Sequence, residues 1–305
     1  MFQPEKFQAY LTEISEPRSP VEDTLKRNIF KCSIWLLGIP AILYGAIDRG
    51  IAAFSKSSTG TVEVSNISYC MIALVLLLVW VFMGFMPEEH QEPLRLEETE
   101  WKYTAKQKPN LEFIAEQSFR LPFPYICQIY HLLNLKHLEE IHRFSLGNLR
   151  VMKVSHFRET HSGGQLRFKT MLDSPFNVLR MWRDPSVDVD LTIHAPHQIE
   201  LKVPAYRQKS IKVLFTVIPL NGQEHQLHIQ MFSDLQWPRE LLRAILLLAS
   251  SLTLLEDLPY LNQLSKRNLT SSYAYATEGQ TSQTMQLFRR YTQLYKGYWE
   301  KRIMP

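Results

Sequence analysis

Twenty consecutive residues without a formal charge, Ile67 to Met86 (ISYCMIALVLLLVWVFMGFM), constrain this chain more than any other feature of its sequence. As a helix rising about 1.5 Å per residue, such a run reaches about 30 Å, enough to cross the hydrocarbon core of a bilayer. A helix of that length in a water-soluble domain carries a polar face, and this one has none. It reads as a transmembrane span. Cys32 to Ile47 (CSIWLLGIPAILYGAI) is shorter and contains Pro40, but Asn28 to Lys31 before it and Asp48-Arg49 after it supply polar ends that snorkel to the interface. Together the two runs predict a membrane hairpin over residues 29–86, preceded by a tail at 1–28. Lys6, Arg18, Lys26 and Arg27 precede the hairpin and Arg95, Lys102, Lys106 and Lys108 follow it, whereas the connecting loop holds Arg49 and Lys56. The positive-inside bias then puts both termini and the globular part on the cytoplasmic side of an integral membrane protein. Glu5, Glu13, Glu16, Glu22 and Asp23 argue against a cleaved signal peptide.

The remaining composition excludes more than it names. With 45% hydrophobic and 21% charged residues the chain can bury a core. Its formal net charge of +4 is too small a bias for a nucleic-acid binder. Cys32, Cys70 and Cys127 are odd in number and far apart, so they build neither a disulfide framework nor a CxxC zinc or redox site.

After Pro87 the sequence changes to an acidic linker, 87–108, with Glu88, Glu89, Glu92, Glu97, Glu98 and Glu100 among prolines. A globular domain is expected over 109–305. Pro124 to Phe144 has helical spacing and stops before Gly147. Leu149–Val154, Gln165–Leu172, Val187–His194, Gln198–Val203, Ser210–Pro219 and Gln226–Phe232 are strand-like runs separated by turn material such as Ser162-Gly163-Gly164 and Asn221-Gly222. Pro238 opens a helix with the apolar run Ala244 to Leu255, and Thr281 to Ile303 makes another. Helix, antiparallel meander, long helix is the order of an α+β domain in which a curved sheet grips a helix.

Three polar features stand out in that domain. His137 and His142 lie five residues apart near a helix end, about 140° apart around a straight helix, so both reach one ion only if the helix ends or bends between them. Glu256-Asp257 closes an apolar helical run just before Leu258-Pro259, which predicts a break after the acid. Phe288, Tyr291, Tyr295, Tyr298 and Trp299 form an aromatic series with basic neighbours. Burial of that face under the sheet is expected, against the alternative of an amphipathic surface resting on anionic lipid.

The stretch LLNLKHLEEIHRFSLG, Leu132 to Gly147, resembles the iron-binding segment of Rieske-type non-haem iron oxygenases, particularly their vanillate-demethylase-like and pheophorbide-oxygenase-like branches. The family pattern is D-x2-H-x4-H, with a later acid supplied by a helix near the end of the domain. His137 and His142 match the histidine ligands, and Asp257 in LLEDLPYL matches the acid. VIPLNGQEHQLHIQMFSDL, Val217 to Leu235, is similar to the last strand hairpin of that catalytic domain, so the likeness covers about Leu111 to Leu264.

The resemblance implies a START-like helix-grip fold and an Fe(II) site of two histidines and one carboxylate, His137, His142 and Asp257, open to O₂. The family's aspartate between cluster and iron falls on Asn134, and this sequence has no C-x-H and C-x2-H pairs for an iron–sulfur cluster. Electrons are therefore expected from a separate iron–sulfur donor, with Asn134 at the point of delivery, in a homo- or hetero-oligomer. The expected function is oxidation of an apolar, ring-containing small molecule drawn from membrane lipid. The alternative is a non-catalytic tethered helix-grip protein that binds a lipid, pigment or isoprenoid or acts as an assembly factor.

Overall fold

The computed structural model describes residues 20–57, 71–72, 74–75, 78, 111–142, 145–146, 149–173, 180, 182–266 and 285–303. Its centre is a seven-stranded sheet ordered β1-β7-β6-β5-β4-β3-β2, in which every neighbouring pair is antiparallel. The strands are β1 (Glu112–Leu121), β2 (Leu149–Thr160), β3 (Gly163–Leu172), β4 (Ser186–Ala195), β5 (Gln198–Pro204), β6 (Ser210–Pro219) and β7 (His225–Ser233). The last six form the expected meander. The first strand, which the apolar pattern did not reveal, pairs with the last, from Glu112 opposite Ser233 to Leu121 opposite His225.

Alternation puts one row of each strand into the core: Leu166, Phe168, Thr170 and Leu172 of β3, Val189, Leu191 and Ile193 of β4, and Leu227, Ile229 and Met231 of β7. At the β2–β3 turn Gly163 has φ +139°, and a Cβ there would stand 2.7 Å from Ile193, so only glycine fits.

Four of the helices enclose that face. They are α1 (Pro20–Ser57), α2 (Tyr125–Leu133), α3 (Lys136–Glu140) and α4 (Arg239–Lys266). A fifth, α5 (Gln286–Ile303), packs against β3. Helix α4 presents Leu242, Leu246, Leu247, Ser251, Leu254, Asp257, Leu258, Leu261 and Leu264 as its buried stripe. Gln117 of β1 tethers it, donating to Ser251 Oγ (3.0 Å) and accepting from Ser250 Oγ (2.7 Å). The expected break after Asp257 does not occur, and α4 runs through Pro259. Proline removes one backbone donor and crowds the carbonyl of Leu255, a local cost outweighed by burial of Leu254, Leu258, Leu261 and Leu264 on both sides of it.

Phe288 and Tyr291 of α5 are buried, and Tyr291 and Tyr295 donate to the carbonyls of Pro196 (2.6 Å) and Ser162 (2.7 Å). That part of the aromatic face therefore packs inward, while the side chains of Tyr298 and Trp299 lie outside the described residues.

Helix α1 departs most from the expected hairpin. It is continuous over 38 residues and packs against α4 and β1. Val21 and Leu25, from the stretch read as a tail, are core residues at 3% and 0% exposure. Cys32–Ile47 lies within this helix and, at about 24 Å, is short of a hydrocarbon core. Among the described residues no helix is long and apolar enough to cross a membrane. Most of Ile67–Met86 and the linker 87–108 lie outside the described residues.

Candidate metal centre

The centre forms where α2 stops. Asn134 caps α2 in an extended conformation, φ −93° and ψ 97°, and the chain restarts as the five-residue α3. His131 is thus left on the last turn of α2, His137 on α3, and His142 just past the end of α3. This interruption resolves the angular problem posed by the five-residue spacing, because His142 follows the helix rather than continuing it. Asp257 comes from α4, three residues beyond Leu254 on the buried stripe, so helical periodicity alone turns it inward.

One donor atom from each of His131, His137, His142 and Asp257 lies within 4.8 Å of every other. All four residues are buried, at 1%, 5%, 3% and 7% exposure. His131 Nε2 is 2.9 Å from Asp257 Oδ2, and His142 Nε2 is 3.2 Å from Asp257 Oδ1. The rings of His131 and His137 lie 4.0 Å apart, and those of His137 and His142 lie 5.2 Å apart.

The neighbours of this group set its chemistry. His137 donates from Nδ1 to the carbonyl of Asn134, and His142 donates from Nδ1 to Glu256 Oε2 (3.2 Å). Glu256 is in turn held by the backbone N–H of Ser145 (3.1 Å) and by its hydroxyl. With both Nδ1 protons committed, the Nε2 lone pairs of His137 and His142 are left as ligands. Burial holds His137 well below the usual histidine range, and nearby His131 and His142 add to the effect, so its imidazole is neutral. Burial raises Glu256, but its bonds from His142 and Ser145 outweigh that and keep it below the ordinary glutamate value, an anion that orients His142.

Two polar atoms within the group, His131 Nδ1 and Asp257 Oδ1, are buried without a hydrogen-bond partner. Buried polar groups are rarely left so, and a cation held between these donors would satisfy them. Imidazole nitrogens with a carboxylate oxygen suit a divalent transition metal such as Fe(II).

His137, His142 and Asp257, the residues read from the sequence, are brought together. Asn134 lies beside them, its Nδ2 3.5 Å from the Tyr260 hydroxyl and its Oδ1 accepting from the Lys136 backbone. The sequence reading missed His131. Its signal was a histidine four residues after Cys127 on the apolar face of α2.

The group opens on a cavity of about 230 Å³ between the sheet and α2, α3 and α4, lined mainly by aliphatic and aromatic side chains. Gln128 also lines it, its Oε1 buried without a partner.

Solved structures with this architecture include dicamba monooxygenase bound to dicamba, with TM-score 0.50, 11% identity, and coverage of 64% of this chain and 60% of that one. The fold is that of a Rieske oxygenase catalytic domain. NdmA from Pseudomonas putida CBB5 with caffeine also matches, with TM-score 0.41, 16% identity, and 60% and 57% coverage. So does the Zhui aromatase/cyclase from Streptomyces sp. R1128, with TM-score 0.35, 10% identity, and 53% and 98% coverage. The chain spans about three fifths of the length of dicamba monooxygenase. No protein-family model and no curated protein matches it.

Proposed function

We propose that this chain is a membrane-anchored, mononuclear non-haem iron oxygenase-like protein that oxidises an apolar, ring-containing molecule with electrons supplied in trans. The observation that carries this reading is the set of inward-turned donors, His137 and His142 with Nδ1 fixed and Asp257 across from them, on the wall of an apolar cavity. Iron(II) held by these residues, with His131 as a fourth donor, supplies activation of O₂ when bound. The chain's own residues wall the centre off in a buried site, keep the His137 imidazole neutral, and fix the orientation of His137 and His142 through Asn134 and Glu256.

The anchor is supported by the apolar side chains α1 leaves exposed, Phe30, Leu37, Tyr44 and Ile47, and by exposed Met71, Ile72, Leu74, Val75 and Leu78. In this reading both termini and the globular domain are cytoplasmic, and the substrate enters from the lipid. Half-buried Asn134, beside the ligand His137, is the point nearest which an iron–sulfur protein or a second copy delivers electrons.

Metal analysis of full-length protein purified anaerobically in detergent tests the reading. About one iron per chain and substrate-dependent O₂ uptake with an added ferredoxin-like donor are expected. A chain that takes up no iron under those conditions is not an oxygenase. Neutral Asn134 at the family's acidic position favours the second reading, a tethered protein that binds a lipid, pigment or isoprenoid in the same cavity, or an assembly factor, without turnover.

A further inference from the structure

Among the described residues, the cavity lining holds one charge outside the candidate metal centre. Arg183, in the connection between β3 and β4, lines the cavity and is 2% exposed. Its bonds go to neutral groups: one terminal nitrogen donates to Thr170 Oγ1 (2.9 Å), and Nε donates to the carbonyl of Asp184 (3.3 Å). The carboxylate of Asp184 belongs to an exposed residue, and no acid among the described residues forms an ion pair with Arg183. Burial alone lowers its pKa to about 10, which leaves the guanidinium charged at neutral pH.

A buried cation without a counter-charge is strongly disfavoured, and the fold has gone out of its way to hold this one. Thr170 occupies an inward position of β3 where its neighbours on the same row are Leu166, Phe168 and Leu172. Its hydroxyl donates to the carbonyl of Val187 (3.3 Å) and so presents its lone pairs to Arg183. The guanidinium is bracketed on the sheet wall of the cavity, while the imidazoles and Asp257 enter from the helices. A planar fork of N–H donors in an apolar chamber matches a carboxylate.

We infer that Arg183 is the anchor for a carboxylate on the cavity's ligand, making that ligand an apolar, ring-containing monoacid whose body extends toward the histidine cluster. The inference rests on the reading of this cavity as a substrate pocket, and not on the metal.

Full-length protein in detergent, stripped of metal with EDTA, is titrated with 2-naphthoate and with 2-naphthamide, its neutral isostere, following tryptophan fluorescence. Partition into micelles is common to all variants, so the acid-to-amide affinity ratio is compared between proteins. The native protein is expected to prefer the acid by about tenfold or more, the range of a charge-assisted hydrogen bond, and Arg183→Gln to abolish that preference. Arg183→Lys, which keeps the charge but loses the fork, is expected to retain part of it. If Arg183→Gln does not fold, the Arg183→Lys ratio decides, and a ratio equal to that of the native protein overturns the inference. Equal binding of acid and amide, an unchanged preference in Arg183→Gln, or no binding of the acid at millimolar concentration also overturns it. Because metal is absent throughout, a chain that never binds iron can still show the acid preference, and one that loads iron can lack it.

Discussion

His142 donates from Nδ1 to Glu256 at 3.2 Å and thereby turns its Nε2 to within 3.2 Å of Asp257, the next residue along α4. One turn of one helix thus supplies both a candidate ligand and the group that aims a second candidate ligand at it. Glu256→Gln keeps the length of the side chain and removes its charge. Its metal affinity is expected to fall tenfold to a hundredfold, roughly the usual effect of an outer-shell partner, while Asp257→Asn abolishes binding. Competition with a fluorescent chelator measures both, and equal affinities for Glu256→Gln and native protein would show that Glu256 does not orient His142.

His131 adds a fourth donor to the set anticipated from the sequence. His131→Asn should leave the fold intact, weaken metal binding and alter the d–d spectrum of the cobalt-substituted centre. An unchanged spectrum would assign His131 to the hydrogen bond with Asp257 alone.

How legible this site was depends on how local each residue's signal is. His137 and His142 are legible through the resemblance of Leu132 to Gly147 to an iron-binding segment, and Asp257 through its match to that pattern's later acid, because a five-residue spacing and an acid at a helix end are by themselves as compatible with a solvated face and a cap. His131 belongs to a stripe with Cys127, Gln128, Ile129 and Leu133, where a single imidazole among buried residues looks like packing until the tertiary structure puts α4 opposite it. Strand β1 escaped for a different reason. Its register shifts between Phe113 and Ala115, which buries Ile114 and Ala115 in succession and spoils the alternation by which a strand is recognised. The meander needed no long-range information, whereas the pairing of β1 with β7 and the packing of α1 on α4 join segments far apart in the chain.

Protonation of His225 should limit stability in acid. The ring is 0% exposed, donates from Nδ1 to the carbonyl of Phe123 (2.7 Å), and is pushed down to about 4 by burial. Since the unfolded chain takes up this proton near pH 6.5, the neutral ring's contribution is complete above about pH 6.5 and is lost as pH falls toward 4, about 3 kcal/mol in all. Denaturant titrations from pH 7 to pH 4 should show that loss, and His225→Gln should flatten the curve if it folds.

Leu25→Ala should destabilise the globular domain by about 2–5 kcal/mol, because the side chain is fully buried although it lies far upstream of the sheet. Thermal unfolding of the full chain in detergent, followed by near-ultraviolet circular dichroism, reads this directly. A negligible shift would mean that α1 is not part of the cooperative unit.

Asn134→Asp restores the acid of the family pattern beside His137. It should change the rate at which a reduced iron–sulfur donor is reoxidised in single turnover and leave ligand affinity within about twofold. An unaltered rate would remove Asn134 from the route of electron delivery.

Helix α1 starts inside the core, at Val21 and Leu25, and continues without interruption for about 57 Å in all. Its first turns are packed into the domain, whereas further along it exposes Phe30, Leu37, Tyr44 and Ile47. A tilt of α1 would act first on α4, the helix it packs against and the one that carries Glu256 and Asp257.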